Sequence, residues 1–185
     1  MGNDSFLTRQ ELDAALPHIL NAPKDHAMVK WLCYRETYGA RAFRDVISLT
    51  PQDGILGERW GKAPWLKRSD GSPDPRIQVC ILPERILDLV WQDRENIPHP
   101  GDTFVADLDM TEANLPVGQR LKIGDVVLEV SDVFNDACVK WKARYGAASR
   151  GWINDPAYCQ LRLRGVLCQI IEGGDLRLGE KIVKL

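Results

Sequence analysis

No apolar stretch of this chain approaches the about 20 residues that a helix needs to cross a bilayer, so a membrane-spanning role is not expected. Histidine is scarce: His18, His26 and His99 are scattered and match no ligand motif. The cysteines, at 33, 80, 138, 159 and 168, form no CxxC, and no Cys/His pair has zinc-finger spacing, which excludes the common structural zinc sites. An odd cysteine count with no secretory signal predicts reduced thiols and a cytoplasmic protein. A large excess of one charge is missing too. The formal net charge of −2 argues against general nucleic-acid binding through bulk positive charge.

What is present suits one folded domain with an N-terminal extension. The 185 residues are 44% hydrophobic and 27% charged, enough apolar material for a core. Charge is segregated. Between Phe134 and Arg164 stand Lys140, Lys142, Arg144, Arg150, Arg162 and Arg164 against Asp136 and Asp155, which makes this segment +4 and the remainder −6. A basic patch on an acidic chain points to a discrete anionic ligand; a solvated basic face is the alternative.

That patch contains the stretch on which the functional expectation rests, Phe134 to Gly146, where Cys138 sits among Lys140, Lys142 and Arg144 with Trp141 and Tyr145 close by. It follows an expected strand, Val126–Val130, and precedes an expected short helix. A thiol at such a junction faces backbone N–H groups and cations that favour thiolate, which suits a nucleophile or a soft metal ligand. The alternative is a buried, inert thiol.

In chain order, Thr8 and Glu11 have capping-box spacing, and Leu12, Ala15, Leu16 and Ile19 share one helical face. Pro17 is expected to break or bend that helix and Pro23 to end it, giving a helical extension over 1–27 and a domain over 28–185. Met28 to Tyr34 and Phe43 to Leu49 read as strands. Gly54 and Gly57 mark a turn or bulge, followed by Arg59 and Trp60, a fork-shaped cation beside an indole that suits a planar or phosphorylated ligand; a Trp packed on a barrel rim is the plainer alternative. Residues 61–76, with three prolines and Gly71, read as a loop long enough to cover a site. Pro83 to Trp91 reads as a helix, and Thr103 to Leu108 as a strand. Leu121–Leu128 and Leu176–Val183 share a pattern of apolar, basic, apolar, Gly, acid, then apolar residues, and both are expected to be hairpins. Leu163 to Ile171 is a further strand with a bulge expected at Gly165. Many short strands with regular turns suggest a mainly β protein and a closed barrel.

Taken together, these segments resemble the MOSC family, named for the C-terminal domain of molybdenum cofactor sulfurase. The resemblance spans Val46 to Leu185 and is densest from Asp109 onward. Gly57-Glu58-Arg59 looks like the family's Gly-Asp-Arg motif with Glu for Asp. Asn114-Leu115, Gly118 and Ile123-Gly124-Asp125 look like its Glu-Asn-Leu and Ile-Gly-Asp segments, although Ala113 separates Glu112 from Asn114. Cys138, Lys140, Arg144 and Gly146 fit a Cys-x-Lys…Arg-x-Gly pattern around the family's single functional cysteine. Leu163-Arg164-Gly165-Val166 and Gly173-Gly174-Asp175 match its closing strands.

The resemblance implies a MOSC-type β-barrel with a few short helices, binding a molybdopterin-type molybdenum cofactor or carrying sulfur as a cysteine persulfide. It implies sulfur transfer or reduction of N-hydroxylated compounds. Cys138 would be the catalytic residue and metal ligand. Lys140, Lys142, Arg144 and Arg164 would hold the cofactor's phosphate, with Asn114 also contacting the cofactor and Arg59 and Trp60 closing the opposite wall. The larger sulfurases carry a pyridoxal-phosphate domain for which this chain has no room, so that chemistry is expected from a partner desulfurase, or electrons from a redox partner. A non-catalytic barrel that binds a small anion or a protein partner is the rival expectation.

Overall fold

The computed structural model describes residues 6–185, so the first five residues of the expected 1–27 segment lie outside the described residues. Among the described residues, three α-helices, α1 (Arg9–Leu20), α2 (Glu84–Val90) and α3 (Val139–Ile153), accompany eleven short strands. The strands are β1 (Cys33–Tyr34), β2 (Ala42–Phe43), β3 (Val46–Thr50), β4 (Gly54–Ile55), β5 (Val79–Pro83), β6 (Phe104–Ala106), β7 (Arg120–Ile123), β8 (Val126–Val130), β9 (Val166–Glu172), β10 (Gly174–Arg177) and β11 (Ile182–Lys184).

Six strands form one curled, mixed sheet in the order β11-β7-β8-β9-β5-β6, antiparallel except for the β5–β6 pair. A second sheet, β10-β3-β4, packs against it, and β1–β2 is a separate ribbon. Side chains alternate along a strand. In β3, Ile47 and Leu49 therefore turn inward while Val46 and Ser48 stay exposed. They meet Val79, Ile81, Leu121, Ile123, Val166, Ile170 and Leu176 in the main core. The fold is mainly β, as expected.

β5 is buried along its whole length because both of its faces are covered. Val79 and Ile81 point to the main core. Leu82 points the other way, into a second core with Ile86, Leu87, Trp141, Tyr145 and Trp152. Cys80 shares that outer direction but packs in a smaller cluster with Ile77 and Leu167, beside Trp60. The alternation of one strand thus aims Cys80 away from the β core and toward the site described below.

α1 lies on the helical core through Leu12 and Ile19. Its capping box forms as expected: Thr8 Oγ1 accepts from the Glu11 N–H at 3.3 Å, and Glu11 Oε2 accepts from the Thr8 N–H at 2.8 Å. The helix runs through Pro17 to Leu20 without breaking. Burial of the face on either side of the proline outweighs its missing hydrogen bond.

The β7–β8 hairpin forms with Gly124-Asp125 as its two-residue turn. Its sequence echo does not form a hairpin. β10 pairs with β3 and β11 pairs with β7, so the chain changes sheets between them. Tertiary hydrogen bonds hold that corner: the Leu178 N–H donates to Asp45 O at 2.8 Å and the Gly179 N–H to Val29 O at 2.9 Å. Gly165 lies in a tight turn before β9, its N–H donating to Arg162 O at 2.7 Å, while the bulge falls further along, opposite Val127 and Leu128. The expected Met28–Tyr34 strand shortens to isolated bridges at Met28 and Lys30 and then β1. The expected Phe43–Leu49 strand divides into β2 and β3.

Candidate functional site

A cavity of about 460 Å³ opens on the outer face of β5 and β9. That size suits a cofactor or a small organic ligand. The loop from Arg35 to Arg41, the segment from Glu58 to Trp65, residues 100–102 and the start of α3 build its walls.

Cys138 is the N-cap residue of α3, is exposed to solvent, and stands on this wall. It is not the buried, inert thiol of the alternative expectation. Spacing along α3 then brings Lys140, Trp141 and Arg144 to the same wall. Gly146, with φ of 89°, breaks the helix two residues after Arg144; a side chain there is disfavoured by that backbone and by Phe6, whose Cβ lies 2.6 Å from where a Cβ would sit.

Six of the eight residues singled out from sequence line the cavity: Arg59, Trp60, Cys138, Lys140, Arg144 and Arg164. Lys142 is exposed and lies outside it. Asn114 is buried elsewhere as a structural brace: its Nδ2 donates to Lys24 O at 3.0 Å and to Asp109 O at 2.7 Å, and its Oδ1 accepts from Lys184 Nζ at 2.7 Å. Trp60 donates from Nε1 to Asp74 O at 3.1 Å, which fixes its indole against the covering loop.

The cations differ in how they are held. Arg164 is engaged within the protein. It pairs with Asp102 Oδ1 at 2.6 Å and its guanidinium lies 4.6 Å from the centre of the Trp141 ring. Arg35 is similarly committed to Glu58, the buried acid of the Gly-Glu-Arg segment, at 2.9 Å. Arg41, Arg59, Lys140 and Arg144 have no carboxylate partner among the described residues. Arg59 and Lys140 flank the ring of Tyr38, at 5.5 and 3.6 Å from its centre, so that an exposed tyrosine bridges two cations at the mouth. Arg144 donates to Pro100 O at 3.3 Å. The lining carries six cations against Glu58, Asp102 and Asp136, a clear positive excess.

Sequence reasoning missed Arg35, Tyr38, Arg41, Cys80, Asp102 and Asn135. Cys80 donates from Sγ to Asp102 Oδ1 at 2.8 Å, and Asn135 Nδ2 donates to that sulfur at 3.2 Å and to Arg164 O at 2.8 Å. Burial, then the Asp102 charge, push the Cys80 thiol well above its ordinary value, so it stays protonated. Burial alone would raise the Asp102 carboxyl, but Arg164 overrides it and holds the group below the usual carboxylate range. The cavity therefore has one accessible thiol at its wall, one locked thiol deeper in, and an ionised carboxylate beside the latter.

No family model and no curated protein sequence matches the chain. Solved structures do. The YuaD protein from Bacillus subtilis superposes with a TM-score of 0.57 at 18% identity, covering 85% of this chain and 94% of that one. YiiM from Escherichia coli gives 0.55 at 17% identity, covering 86% of this chain and 69% of that one. This chain shares the fold of these two proteins, a mainly β fold of the kind that the sequence resemblance implied. Among the described residues no helix is long and apolar enough to cross a membrane.

Proposed function

We propose that the cavity binds a molybdopterin-type cofactor, with Cys138 as the protein's sulfur ligand to the metal. The observation that carries this is an exposed cysteine on the wall of a cavity with excess positive charge. Among the described residues no group of three His, Cys, Asp or Glu side chains could hold a metal ion. The donor set thus does not fit a bare metal ion. It fits a metal that arrives with its own sulfur donors and takes one more from the protein, because a soft thiolate suits molybdenum. When bound, such a cofactor supplies two-electron redox chemistry, and N-hydroxylated compounds are the substrate class we assign. The chain's own residues bind and orient. Arg144, Arg59 and Lys140 attract the phosphate, Trp60 and Tyr38 offer flat apolar surface to the heterocycle, and Cys138 fixes the reacting end. A sulfane sulfur carried on Cys138, delivered by a pyridoxal-phosphate desulfurase partner, is the other chemistry open to the same thiolate.

Titration with a pterin phosphate tests the site. Arg144→Ala is expected to weaken binding about tenfold or more, the loss typical of a charge-assisted hydrogen bond. Lys142→Ala is expected to leave binding unchanged, because Lys142 lies outside the cavity. Equal and negligible effects of both changes would contradict the proposal.

A further inference from the structure

Asp102 is 2% exposed and lines the cavity. Its two oxygens are in different situations. Oδ1 accepts from Arg164 Nη1 at 2.6 Å and from Cys80 Sγ at 2.8 Å. Oδ2 has no hydrogen-bond partner among the described residues. A buried carboxylate oxygen without a donor is costly, and native proteins rarely leave one unpaired outside functional sites. Two donors near it are already committed, while His99, whose charge also acts on it, has Nε2 without a partner among the described residues as well. Arg35 is held by Glu58 through Nε and Nη2, at 2.9 and 3.2 Å, and Asn135 Nδ2 is divided between Cys80 and the Arg164 carbonyl. These same bonds fix the carboxylate, since Arg164 and the Cys80 thiol both hold Oδ1 and leave Oδ2 pointing elsewhere.

We propose that Asp102 is the specificity-determining acceptor of the cavity, and that Oδ2 takes an amino N–H from the heterocycle of the bound cofactor. This rests on the cofactor reading above and adds an orientation to it. The cavity has an acceptor deep inside, beside Cys80, and unpaired cations at Arg59 and Lys140 around Tyr38 at its mouth. A ligand that satisfies both is a hydrogen-bond donor at one end and an anion at the other. A pterin phosphate has this polarity: the 2-amino edge of the ring lies opposite the side that carries the phosphate-bearing chain. The amino edge goes to Asp102 and the phosphate to the mouth. A ring with an oxo group in place of that amino group sets oxygen against carboxylate and is rejected, as sites built around a buried hydrogen bond reject analogues that cannot make it.

The test compares two fluorescent probes that differ at this one group, 6-carboxypterin and 6-carboxylumazine, the latter with a 2-oxo group for the 2-amino group. Each is titrated into the 185-residue chain. The wild type is expected to bind the pterin more tightly by about tenfold, the worth of a hydrogen bond to a charged acceptor. In Asp102→Asn, with thermal melting measured alongside, the two probes are expected to bind alike. If Asp102→Asn fails to fold, the wild-type pair still decides the matter. Equal, measurable binding of both probes to the wild type would overturn the role of Asp102 and leave the cofactor reading standing. Binding of neither probe would overturn both.

Discussion

Cys138 and Cys80 face the same cavity and differ in what they can do there. Cys80 is buried and bonded to Asp102, and Cys33 and Cys168 are also buried, with burial pushing their thiols up to about 11 and about 12. Cys138 and Cys159 are exposed, but only Cys138 stands beside Lys140, Arg144 and Arg164. Fields from such a wall concentrate anions. Iodoacetate, relative to neutral iodoacetamide, is therefore expected to label Cys138 faster than it labels Cys159, and 1 M salt should erase the difference, since screening then acts within about 3 Å. Mass spectrometry of the labelled peptides gives the ratio. The same ratio at both cysteines in low salt would show that the wall does not act on Cys138.

His99 gives a second prediction at this scale. It is buried among Trp31, Phe43 and Trp91, with ring centres 5.9, 5.3 and 5.4 Å away. Its Nδ1 accepts from the Gly101 N–H at 3.0 Å. Burial lowers its pKa to about 4, against the opposing pull of Asp102 and with help from Arg41, Arg164 and Arg144. The folded histidine is thus neutral where the unfolded one, near its usual 6.5, takes a proton. Its contribution is fully present above pH 6.5 and is lost as pH falls toward 4, by on the order of 3 kcal/mol over that interval. Urea unfolding across this range should show the decline, and His99→Gln should flatten it. An unchanged slope in the variant would assign the acid sensitivity to other groups.

At the scale of elements, the turn that feeds β9 into the sheet decides whether Arg164 reaches Asp102. Gly165 has φ of 83°, and a Cβ there would sit 1.9 Å from Ile81 O on the neighbouring strand. Backbone cannot yield as a flexible side chain can. Gly165→Ala is expected to cost about 3 kcal/mol or more through the combined strain and clash. Chemical denaturation measures it, and a loss below about 1 kcal/mol, the typical cost of an ordinary substitution, would contradict the account of this turn.

Strand and turn chemistry also sets how far these elements could be read in advance. The β7–β8 hairpin was legible because Gly-Asp between alternating strands is a local signal. Leu176–Val183 carries the same local signal and goes elsewhere, because Asp45 and Val29 supply hydrogen bonds that no local pattern reveals. Cys138, Lys140 and Arg144 could be found from their spacing along one segment. Arg164 could be placed in the patch but not with its partner, since Asp102 is 62 positions away. Cys80 looked like a plain apolar strand residue. Only the pairing of β5 between β9 and β6 shows that its two faces meet different surroundings.

For the whole molecule, a curled β sheet supplies a rigid floor, and helices and loops on its outer face supply the chemistry. The mainly β character followed from many short strands and regular turns. The helical core on the outer face did not, since it joins α1, α2 and α3, which lie far apart in sequence. That core fixes the start of α3 through Trp141 and Tyr145, and so fixes where Cys138 stands.

Metal and pterin content after anaerobic purification, wild type against Cys138→Ser, tests the central claim most directly. Cys138 is exposed and its side chain makes no cap hydrogen bond, so the variant should melt as the wild type does. The wild type is expected to carry molybdenum and pterin in matching amounts. Cys138→Ser is expected to lose the molybdenum, because a hydroxyl is a poor substitute for a soft sulfur ligand. A folded Cys138→Ser protein that keeps molybdenum in the wild-type ratio would contradict the account.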